Sequence, residues 1–521
     1  MNYLLTHSIT ESAKRFPERQ AFVFMNRSLS YKELEQQSNQ LANLLIDLGV
    51  KKGDRVGIYM NRSLESSIAV YGIMKAGAAY VPLDPDAPIK RTQFLIEDCE
   101  IEVLITNSIK KRQVKEIIDA KTQLKSCIGF KDGLTINTIP WEEVLQQSEE
   151  TPSISILGND LAYIMYTSGS TGLPKGIMHS HNSGLAYAKL SADLYELTEE
   201  DRIGNHAPLH FDISTFGYFT GPFVGATTVI IPDPHTKMPA SLAQLIEKEQ
   251  LSIWYSVPLA LVQLLQSKSI EKADMSALRW VLYGGEVFPT KHLNALMQIW
   301  PSCQFSNVYG PAEVNQCTYY TVQEPPKEDE MIPLGKVWGN TEKLILNQDD
   351  GLAKRGEVGE LLIRSATMMK GYWNQSELTK KSLYTLRINS TYKKVFYRTG
   401  DLVKLDENND LLFLGRKDRQ IKIRGYRVEL DEVVGVLSIN TAVHEAAVFA
   451  ITKEGTVHIA AVIILKEEGL ITVEELRDHL NQNLPKYAVP ETILIGKQLP
   501  RTSNGKINHL ELEKTLEIEE E

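Results

Sequence analysis

The chain has 521 residues, of which 43% are hydrophobic and 23% are charged, and its length predicts about two to four compact units. A formal net charge of −10 argues against binding to a nucleic-acid backbone as a main task. The four cysteines form no C-x-x-C pair, which predicts neither a disulfide framework nor a zinc site and favours a reducing, cytoplasmic location. The first residues lack a signal-peptide pattern, and no apolar run reaches the roughly 18 residues of a transmembrane helix, so we expect no membrane partner.

The N-terminal part of the chain alternates between short apolar strands and amphipathic helices. Its predicted elements are a hairpin at 21–31, a helix at 34–48, a strand at 56–60, a helix at 63–75, and strands at 78–82 and 101–106. A polar connector at 146–159 follows. This alternation predicts an α/β sheet with helices on its faces.

The next motif is a loop at 166–176, which reads YTSGSTGLPKG. Its glycines let the backbone bring N–H groups close to an anion, its hydroxyls add donors, and Lys175 adds charge, so the loop can wrap a polyphosphate. It differs from the P-loop of nucleoside triphosphatases, G-x-x-x-x-G-K-[ST], because Pro174 precedes the lysine and Gly176 follows it. Strands are predicted on both sides, at 161–165 and 176–180. A flexible surface loop has a similar composition, but a lysine between proline and glycine favours anion binding.

This loop resembles the phosphate loop of the adenylate-forming superfamily, which comprises acyl-CoA synthetases, luciferases and the adenylation domains of nonribosomal peptide synthetases. The resemblance extends along nearly the whole chain and implies ATP and Mg²⁺. It implies a large N-terminal domain of α/β subdomains plus a small β region at 1–417, and a small mobile α+β C-terminal domain at 418–521, with a hinge at Asp418. The loop residues that it implies in nucleotide binding are Thr167, Ser168, Gly169, Ser170, Thr171 and Gly172, and Lys175 is implied to be catalytic.

Further nucleotide motifs follow after a predicted helix at 182–194. A predicted strand at 278–283 ends in Gly284, Gly285 and Glu286, and glycines at the carboxyl end of a strand let a flat ligand approach the backbone. The run NVYGPAE at 307–313 resembles the family's second nucleotide motif. There Asn307 would read the adenine edge, Tyr309 would stack on adenine beside Gly310, and Glu313 would hold Mg²⁺. Ala312 stands where the family usually has threonine, so one hydroxyl near the phosphates is missing.

Downstream, residues 359–363 and 371–373 predict the small β region, and YRTGD at 397–401 places Asp401 where the family binds both ribose hydroxyls. In the cation-rich stretch 415–429, Arg416 would touch the nucleotide. We expect Lys417, Arg419 and Arg427 to be solvated.

The C-terminal residues predict strands at 421–423, 445–451 and 458–465 and a helix at 474–484. Lys506 lies on an Asn-Gly turn and matches the family's mobile catalytic lysine. Asn508 replaces the usual aspartate.

The substrate pocket is predicted by resemblance to the amino-acid-activating members of the family. Asp212, in the pair Phe211–Asp212, resembles the carboxylate that pairs with the substrate α-ammonium in amino-acid-activating members; the other interpretation is a helix N-cap, since aspartate before an apolar run is a common cap. The resemblance implies a set of pocket residues, because the family's pocket positions can be carried over by their offset from the motifs: Asp212, Ile213, Phe216, Tyr255, Leu282, Gly284, Val308, Gln316 and Cys317. Apart from Asp212 none is ionised, so a small neutral amino acid fits. Proline is the first choice, because its secondary ammonium can still pair with Asp212. The run at 313–320 also resembles that of free-standing prolyl-carrier-protein ligases, while alanine, valine and β-amino acids stay open.

The parts imply a two-step reaction. A free amino acid would attack ATP to give an aminoacyl-AMP and pyrophosphate, and the acyl group would pass to the phosphopantetheine thiol of a separate carrier protein. No prosthetic group is expected on this chain, because no carrier domain follows Lys506. An acyl- or aryl-CoA ligase and a non-enzymatic scaffold are the alternatives. Asp212 favours the first function over the CoA ligase, and Lys175, Glu313, Asp401 and Lys506 argue against the scaffold.

Overall fold

The structure is a computed structural model, and it describes residues 2–120, 122–169, 173–327, 330–453, 456–467, 469–501, 507 and 511–512. Within these ranges the helices are α1 Leu5–Arg15, α2 Tyr31–Asp47, α3 Leu64–Lys75, α4 Ile89–Asp98, α5 Lys111–Asp119, α6 Trp141–Val144, α7 His181–Leu194, α8 Gly221–Val224, α9 Asp233–Lys237, α10 Pro239–Lys248, α11 Pro258–Gln266, α12 Thr290–Ile299, α13 Ser376–Lys381, α14 Leu430–Ile439 and α15 Val473–Asn483. None of these helices is long and apolar enough to cross a membrane.

The strands are β1 Gln20–Phe24, β2 Arg27–Ser30, β3 Arg55–Ile58, β4 Ala79–Pro82, β5 Val103–Ile105, β6 Ser126–Ile128, β7 Asn137–Ile139, β8 Leu161–Thr167, β9 Lys175–Ser180, β10 Arg202–Asn205, β11 Thr227–Ile230, β12 Ile253–Ser256, β13 Trp280–Gly284, β14 Gln304–Tyr309, β15 Thr318–Val322, β16 Lys336–Val337, β17 Thr341–Leu346, β18 Gly359–Ser365, β19 Gly371–Tyr372, β20 Leu383–Arg387, β21 Lys393–Leu405, β22 Leu411–Arg416, β23 Gln420–Ile423, β24 Tyr426–Glu429, β25 Val443–Lys453, β26 Thr456–Leu465 and β27 Thr492–Gly496.

Two large sheets carry most of the parallel pairing. One has the order β16-β15-β14-β13-β12-β10-β11-β1-β2, and the other has the order β19-β9-β8-β4-β3-β5-β6-β7. A smaller antiparallel sheet pairs β17-β18-β21-β20, with β22 also on β21. Near the C-terminus, β23 pairs with β24, and β25-β26-β27 form a separate sheet. Parallel strands joined by helices confirm the predicted α/β class with its small β region.

Several helices begin at N-terminal capping motifs that can be recognised in the sequence. The Ser30 hydroxyl accepts a hydrogen bond from the Glu33 N–H at 3.2 Å, and the Glu33 carboxylate accepts one from the Ser30 N–H at 2.7 Å. This capping box supplies partners for two N–H groups that helix geometry leaves unpaired. Thr472 and Glu475 make the same pair of bonds at the start of α15. Local capping chemistry therefore sets where these helices begin.

Compactness divides the chain into two units. The first comprises Met1–Pro85, Ile96–Met165 and Gly176–Lys417, and the second comprises Asp86–Leu95, Tyr166–Lys175 and Asp418–Glu521. The domain boundaries at 1–417 and 418–521, and the hinge at Asp418, stay predictions.

One detail of the predicted β region is wrong. The strand Gly371–Tyr372 pairs antiparallel with Ile177 and Met178 of β9, so it extends a large sheet and not the small antiparallel one. A two-residue strand carries too little periodicity to indicate its partner.

Each unit has its own apolar core. In the first unit, α2 and α3 pack in one cluster with residues of both large sheets, among them Phe22 of β1 and Val56 of β3. Gly72 of α3 lies against Leu41 of α2, where a Cβ atom added to the glycine would come within 2.9 Å of the Leu41 Cβ. In the second unit, α14 and α15 pack on β25–β27 through residues such as Val433, Leu480 and Ile463.

We predict that Gly72→Ala destabilises the protein. Forcing a methyl group into this helix contact costs about 1–3 kcal/mol, which exceeds the roughly 0.5–1 kcal/mol that alanine gains over glycine in a helix. The measurement is the thermal unfolding midpoint by circular dichroism. Gly133→Ala is the matched control, because a Cβ at Gly133 meets no atom within 4 Å. An equal midpoint for the two variants would contradict this account of the packing.

Candidate functional site

The carboxyl ends of three adjacent parallel strands bring several predicted residues together. In the register of β12, β13 and β14, Tyr255 pairs with Leu282, and Gly284 pairs with Val308. Ligands of open α/β sheets bind at this end of the strands. A Cβ at Gly284 would lie 2.2 Å from the Val308 carbonyl oxygen, so the strand contact itself requires glycine there. Residues from separate stretches of sequence thus meet at one edge.

An apolar cluster forms the predicted substrate side of this edge. Phe216, Tyr255, Leu282 and Val308 belong to it, and Ile213 packs against it. The Phe216 and Tyr255 rings meet edge to face, with centroids 5.5 Å apart. Phe216 begins a short π-helix, Phe216–Thr220. The π-helix is rare in proteins as a whole, but where it occurs it is often at a functional site. Cys317 packs in a different cluster, with Tyr309 and Val314.

Asp212 lies beside this cluster. One carboxylate oxygen accepts a hydrogen bond from the Ile213 N–H at 2.9 Å, so the side chain does cap the local backbone. Burial raises the pKa of the Tyr163, Tyr187 and Tyr255 hydroxyls, and the negative charge of Asp212 raises each of them further. The carboxylate is therefore close to three tyrosines that stay protonated.

The predicted pocket residue Gln316 belongs to a polar group whose other members, Tyr195 and Ser306, the sequence does not indicate. The Gln316 amide donates to the Tyr195 hydroxyl at 3.0 Å, and the Ser306 hydroxyl lies 3.4 Å from that same oxygen. Burial raises the pKa of Tyr195 to about 12. The other Gln316 side-chain atom, Oε1, is buried and has no hydrogen-bond partner among the described residues. Tyr195 follows α7 outside any motif, so the sequence carries no signal for this contact.

On the predicted nucleotide side, Asp401 is held by two partners. The Tyr309 hydroxyl donates to its carboxylate, and an Arg416 nitrogen lies 2.5 Å from its other oxygen. Asp401, which is buried, and Arg416, which is half-buried, are direct neighbours across β21 and β22, which explains their pairing. Burial, and then the charge of Asp401, raise the pKa of Tyr309. The arrangement fixes a carboxylate that can accept hydrogen bonds from a diol.

The turn after β14 shapes the same side. The Asn307 amide donates to the Pro333 carbonyl at 2.8 Å. A Cβ at Gly310 would lie 1.6 Å from the Asn315 carbonyl oxygen, so the turn requires glycine at this position. Gly285 has a φ of +95°, which also favours glycine. Glu286 follows it and is half-buried.

Glu313 is fully buried in this turn. Its carboxylate accepts a hydrogen bond from the Tyr372 hydroxyl at 2.8 Å. No cluster of three or more metal-binding side chains occurs in the described part of the chain. Mg²⁺ commonly takes one or two protein carboxylates and completes its octahedron with phosphate oxygens and water. A single buried carboxylate therefore fits a Mg²⁺ that a nucleotide brings with it.

The phosphate loop belongs to the second unit. The Ser168 hydroxyl donates to the Arg427 carbonyl at 2.7 Å and accepts from the Glu429 N–H at 3.2 Å. Lys175 Nζ lies 3.9 Å from the Glu429 carboxylate, and both side chains are buried. The Thr167 hydroxyl is buried and has no partner among the residues that the structure describes.

The glycine at 169 is required by the loop itself, because a Cβ there would lie 2.0 Å from the Leu173 carbonyl oxygen. Ser170, Thr171, Gly172, Lys506 and Asn508 lie outside the described residues. The Asp418 carboxylate accepts from the Gln420 N–H at 3.3 Å.

The expected solvation of the basic stretch is wrong at two positions. Arg419 pairs with the Asp431 carboxylate at 2.6 Å and also donates to the Val448 carbonyl. Arg427 is half-buried. Only Lys417 keeps most of its side chain exposed, at 60%, although it lies 3.6 Å from Glu360.

Comparison with known proteins now identifies the family. A profile described as AMP-binding enzyme matches residues 9–373, and one described as AMP-binding enzyme C-terminal domain matches residues 432–506. The chain belongs to the AMP-binding enzyme family. The predicted resemblance to adenylate-forming enzymes is thereby confirmed.

Relatives and solved structures agree with this assignment. An L-proline--[L-prolyl-carrier protein] ligase of Pseudomonas fluorescens is 30% identical over 99% of this chain and 99% of its own. A protein of the same name from Streptomyces coelicolor is 31% identical, covering 96% of this chain and 94% of its own. The structure of an amide bond synthetase from Marinactinospora thermotolerans has a TM-score of 0.87, with 21% identity over 98% of this chain and 99% of its own, and shows the same fold.

We predict that Tyr309→Phe lowers the stability of this AMP-binding enzyme. The variant removes a hydroxyl that donates to the buried Asp401 carboxylate, and a hydrogen bond to a charged group is worth about 1.5–3 kcal/mol. Tyr283→Phe is the matched control, because the Tyr283 hydroxyl is buried without a partner among the described residues. Urea unfolding should show a loss for Tyr309→Phe and no loss, or a gain, for Tyr283→Phe. Equal losses would show that the bond to Asp401 adds nothing.

Proposed function

We propose that this adenylate-forming enzyme activates a small neutral amino acid, L-proline first, as its aminoacyl-AMP and passes the acyl group to a carrier-protein phosphopantetheine thiol. The observation that carries the proposal is the position of Asp212 beside an apolar cluster of predicted pocket residues. A half-buried carboxylate next to apolar side chains suits a substrate with one positive group and a neutral body.

The charge of the pocket supports the amino-acid class. Among the predicted lining residues only Asp212 ionises, so an acidic or basic substrate side chain would be buried without a counter-charge, at a cost of several kcal/mol. A fatty or aryl acid has no ammonium group and would leave Asp212 without its expected counter-ion. The edge-to-face rings of Phe216 and Tyr255 favour a compact side chain.

The choice of proline rests on two supports. The Pseudomonas and Streptomyces relatives, which match along nearly their whole length, are named L-proline--[L-prolyl-carrier protein] ligases. The secondary ammonium of proline can also pair with a carboxylate such as Asp212. The same two names support a separate carrier protein as the acceptor.

In the first step, an oxygen of the substrate carboxylate forms a bond to the α-phosphorus of ATP, and the bond to pyrophosphate breaks. Negative charge builds up on the non-bridging oxygens, so positioning and positive charge carry the rate. Lys175 and Lys506 would supply positive charge, and Asp401 would hold the ribose. Bound at Glu313, Mg²⁺ would neutralise phosphate charge. In the second step, the thiol sulfur bonds to the carbonyl carbon and AMP leaves.

We also propose that residues 1–417 and 418–521 act as the two domains of this cycle, with Asp418 as the hinge. Lys506, from the smaller domain, would serve the first step only. The support is the sequence resemblance, together with the break in compactness between Lys417 and Asp418. This idea is tested by whether Lys506→Ala impairs the first half-reaction and spares the second.

The substrate proposal predicts ATP–pyrophosphate exchange that depends on L-proline. Asp212→Ala should raise the KM for proline about 30-fold or more, since losing one partner of a buried charge pair costs about 2 kcal/mol or more. The exchange assay is run against a panel of amino, fatty and aryl acids. Asp193→Ala, at an exposed position of α7, is the matched control and should keep the wild-type KM.

Two outcomes would overturn this proposal. Strong exchange with an aryl or fatty acid and none with amino acids would assign the chain to the acyl- or aryl-CoA ligases. An Asp212→Ala enzyme that keeps its KM for proline would remove the proposed ammonium contact.

For Lys506, we predict that substitution by alanine abolishes most pyrophosphate exchange and spares thiol transfer from supplied prolyl-AMP. The reason is that the residue would reach the reacting phosphate in one conformation only. Single-turnover assays of the two half-reactions measure the separation. Lys497→Ala, at an exposed lysine of the same domain, serves as the control. Equal loss of both half-reactions would contradict both the role and the hinge.

A further inference from the structure

Three consecutive backbone carbonyls hold the turn that carries Glu313. The Ala312 carbonyl lies 2.9 Å from Nε2 of His179, the Glu313 carbonyl accepts from the Met369 N–H at 2.7 Å, and the Val314 carbonyl accepts from the Thr367 hydroxyl at 2.6 Å. A carbonyl oxygen only accepts, so Nε2 of His179 must carry the proton of the first bond. The turn is thus fixed from outside at each of these residues.

His179 is itself held in place. The residue is 2% exposed, and its ring stacks on Tyr163 at 4.8 Å between centroids with an interplanar angle of 14°. Tyr163 stacks in turn on Tyr80 at 5.4 Å. The other ring nitrogen of His179 lies 3.3 Å from the Ser183 hydroxyl. A ring clamped on its face and at both nitrogens has one direction in which to donate.

We propose that His179 is a positioning residue for Glu313 and thereby for the Mg²⁺–nucleotide. This inference rests on the proposed function. Ala312 has only a methyl side chain, so its peptide is anchored through the carbonyl that His179 binds. That peptide leads directly into Glu313, and its orientation sets the direction of the Glu313 side chain. Partners that orient a metal-binding group from outside commonly change metal affinity about 10–100-fold when they are removed.

The test measures metal binding apart from catalysis. Mn²⁺ replaces Mg²⁺, because free Mn²⁺ can be counted by electron paramagnetic resonance, and α,β-methylene-ATP replaces ATP, because it does not release pyrophosphate. His179→Leu removes the donor, whereas His179→Gln keeps an amide N–H that can reach the Ala312 carbonyl. His181→Leu is the matched control, since His181 is equally buried and both its ring nitrogens lack partners among the described residues.

We expect His179→Leu to weaken Mn²⁺ binding in the presence of the analogue about tenfold or more. His179→Gln and His181→Leu should stay within about twofold of the wild type, a range in which a change of binding free energy is below 1 kcal/mol. Analogue affinity without metal should be unchanged in all three variants.

The outcomes separate this inference from the function on which it rests. If the wild type binds Mn²⁺–analogue and His179→Leu binds it equally well, His179 has no positioning role. Equal weakening in His179→Leu and His181→Leu would show a general loss of packing and would also overturn the inference. If the wild type binds no Mn²⁺–analogue, the proposed function itself fails. Thermal unfolding of each variant checks that the binding data come from folded protein.

Discussion

Burial of two carboxylates is the constraint on which the candidate site depends. Glu313 and Asp401 are both buried in the first unit, and a buried carboxylate is tolerated only with hydrogen-bond donors or a counter-charge. The structure meets the need in the same way twice, with a tyrosine hydroxyl on each: Tyr372 on Glu313 and Tyr309 on Asp401. Asp401 has Arg416 in addition. Because these donors come from different strands, the carboxylates tie the small antiparallel sheet and both large sheets to one region.

On the proposed substrate side, the ligand would bring the positive group that pairs with the carboxylate. Its predicted lining carries one ionised side chain, Asp212, so a single negative charge lies near rings and aliphatic side chains. A single negative charge in apolar surroundings favours binding of a ligand that carries a single positive group. The predicted nucleotide side instead offers fixed hydrogen-bond acceptors, together with glycines that let a ligand approach the backbone closely. In the proposed function, an amino acid and a nucleotide would be brought together near the carboxyl ends of β12, β13 and β14 for the transfer of the acyl group to phosphate.

Sequence patterns could predict the elements of this region that are determined by residues close together in the chain. Gly284 follows an apolar run that predicts a strand, and the structure has it at the end of β13. The predicted helix at 182–194 forms as α7, whose start is capped by Ser180. Contacts between distant stretches could not be predicted. Tyr195 meets Gln316 across 121 residues, and His179 meets Ala312 across 133 residues, with no motif that links either pair.

Two features of the backbone also could not be predicted from the sequence. The π-helix at Phe216–Thr220 begins with Phe216 of the apolar cluster, and no residue pattern distinguishes it from an α-helix. The pairing of Gly371–Tyr372 with β9 puts the Tyr372 hydroxyl on Glu313, which links a short strand to the predicted metal carboxylate.

The central claim is that a carboxylate oxygen of an amino acid attacks the α-phosphorus of ATP on this chain. The most direct measurement uses proline labelled with oxygen-18 in its carboxylate, with ATP and a phosphopantetheinylated carrier protein, followed by mass spectrometry of the nucleotide product. The account predicts that AMP gains one labelled oxygen and that pyrophosphate gains none. Labelled inorganic phosphate or pyrophosphate, or turnover that leaves AMP without label, would contradict it.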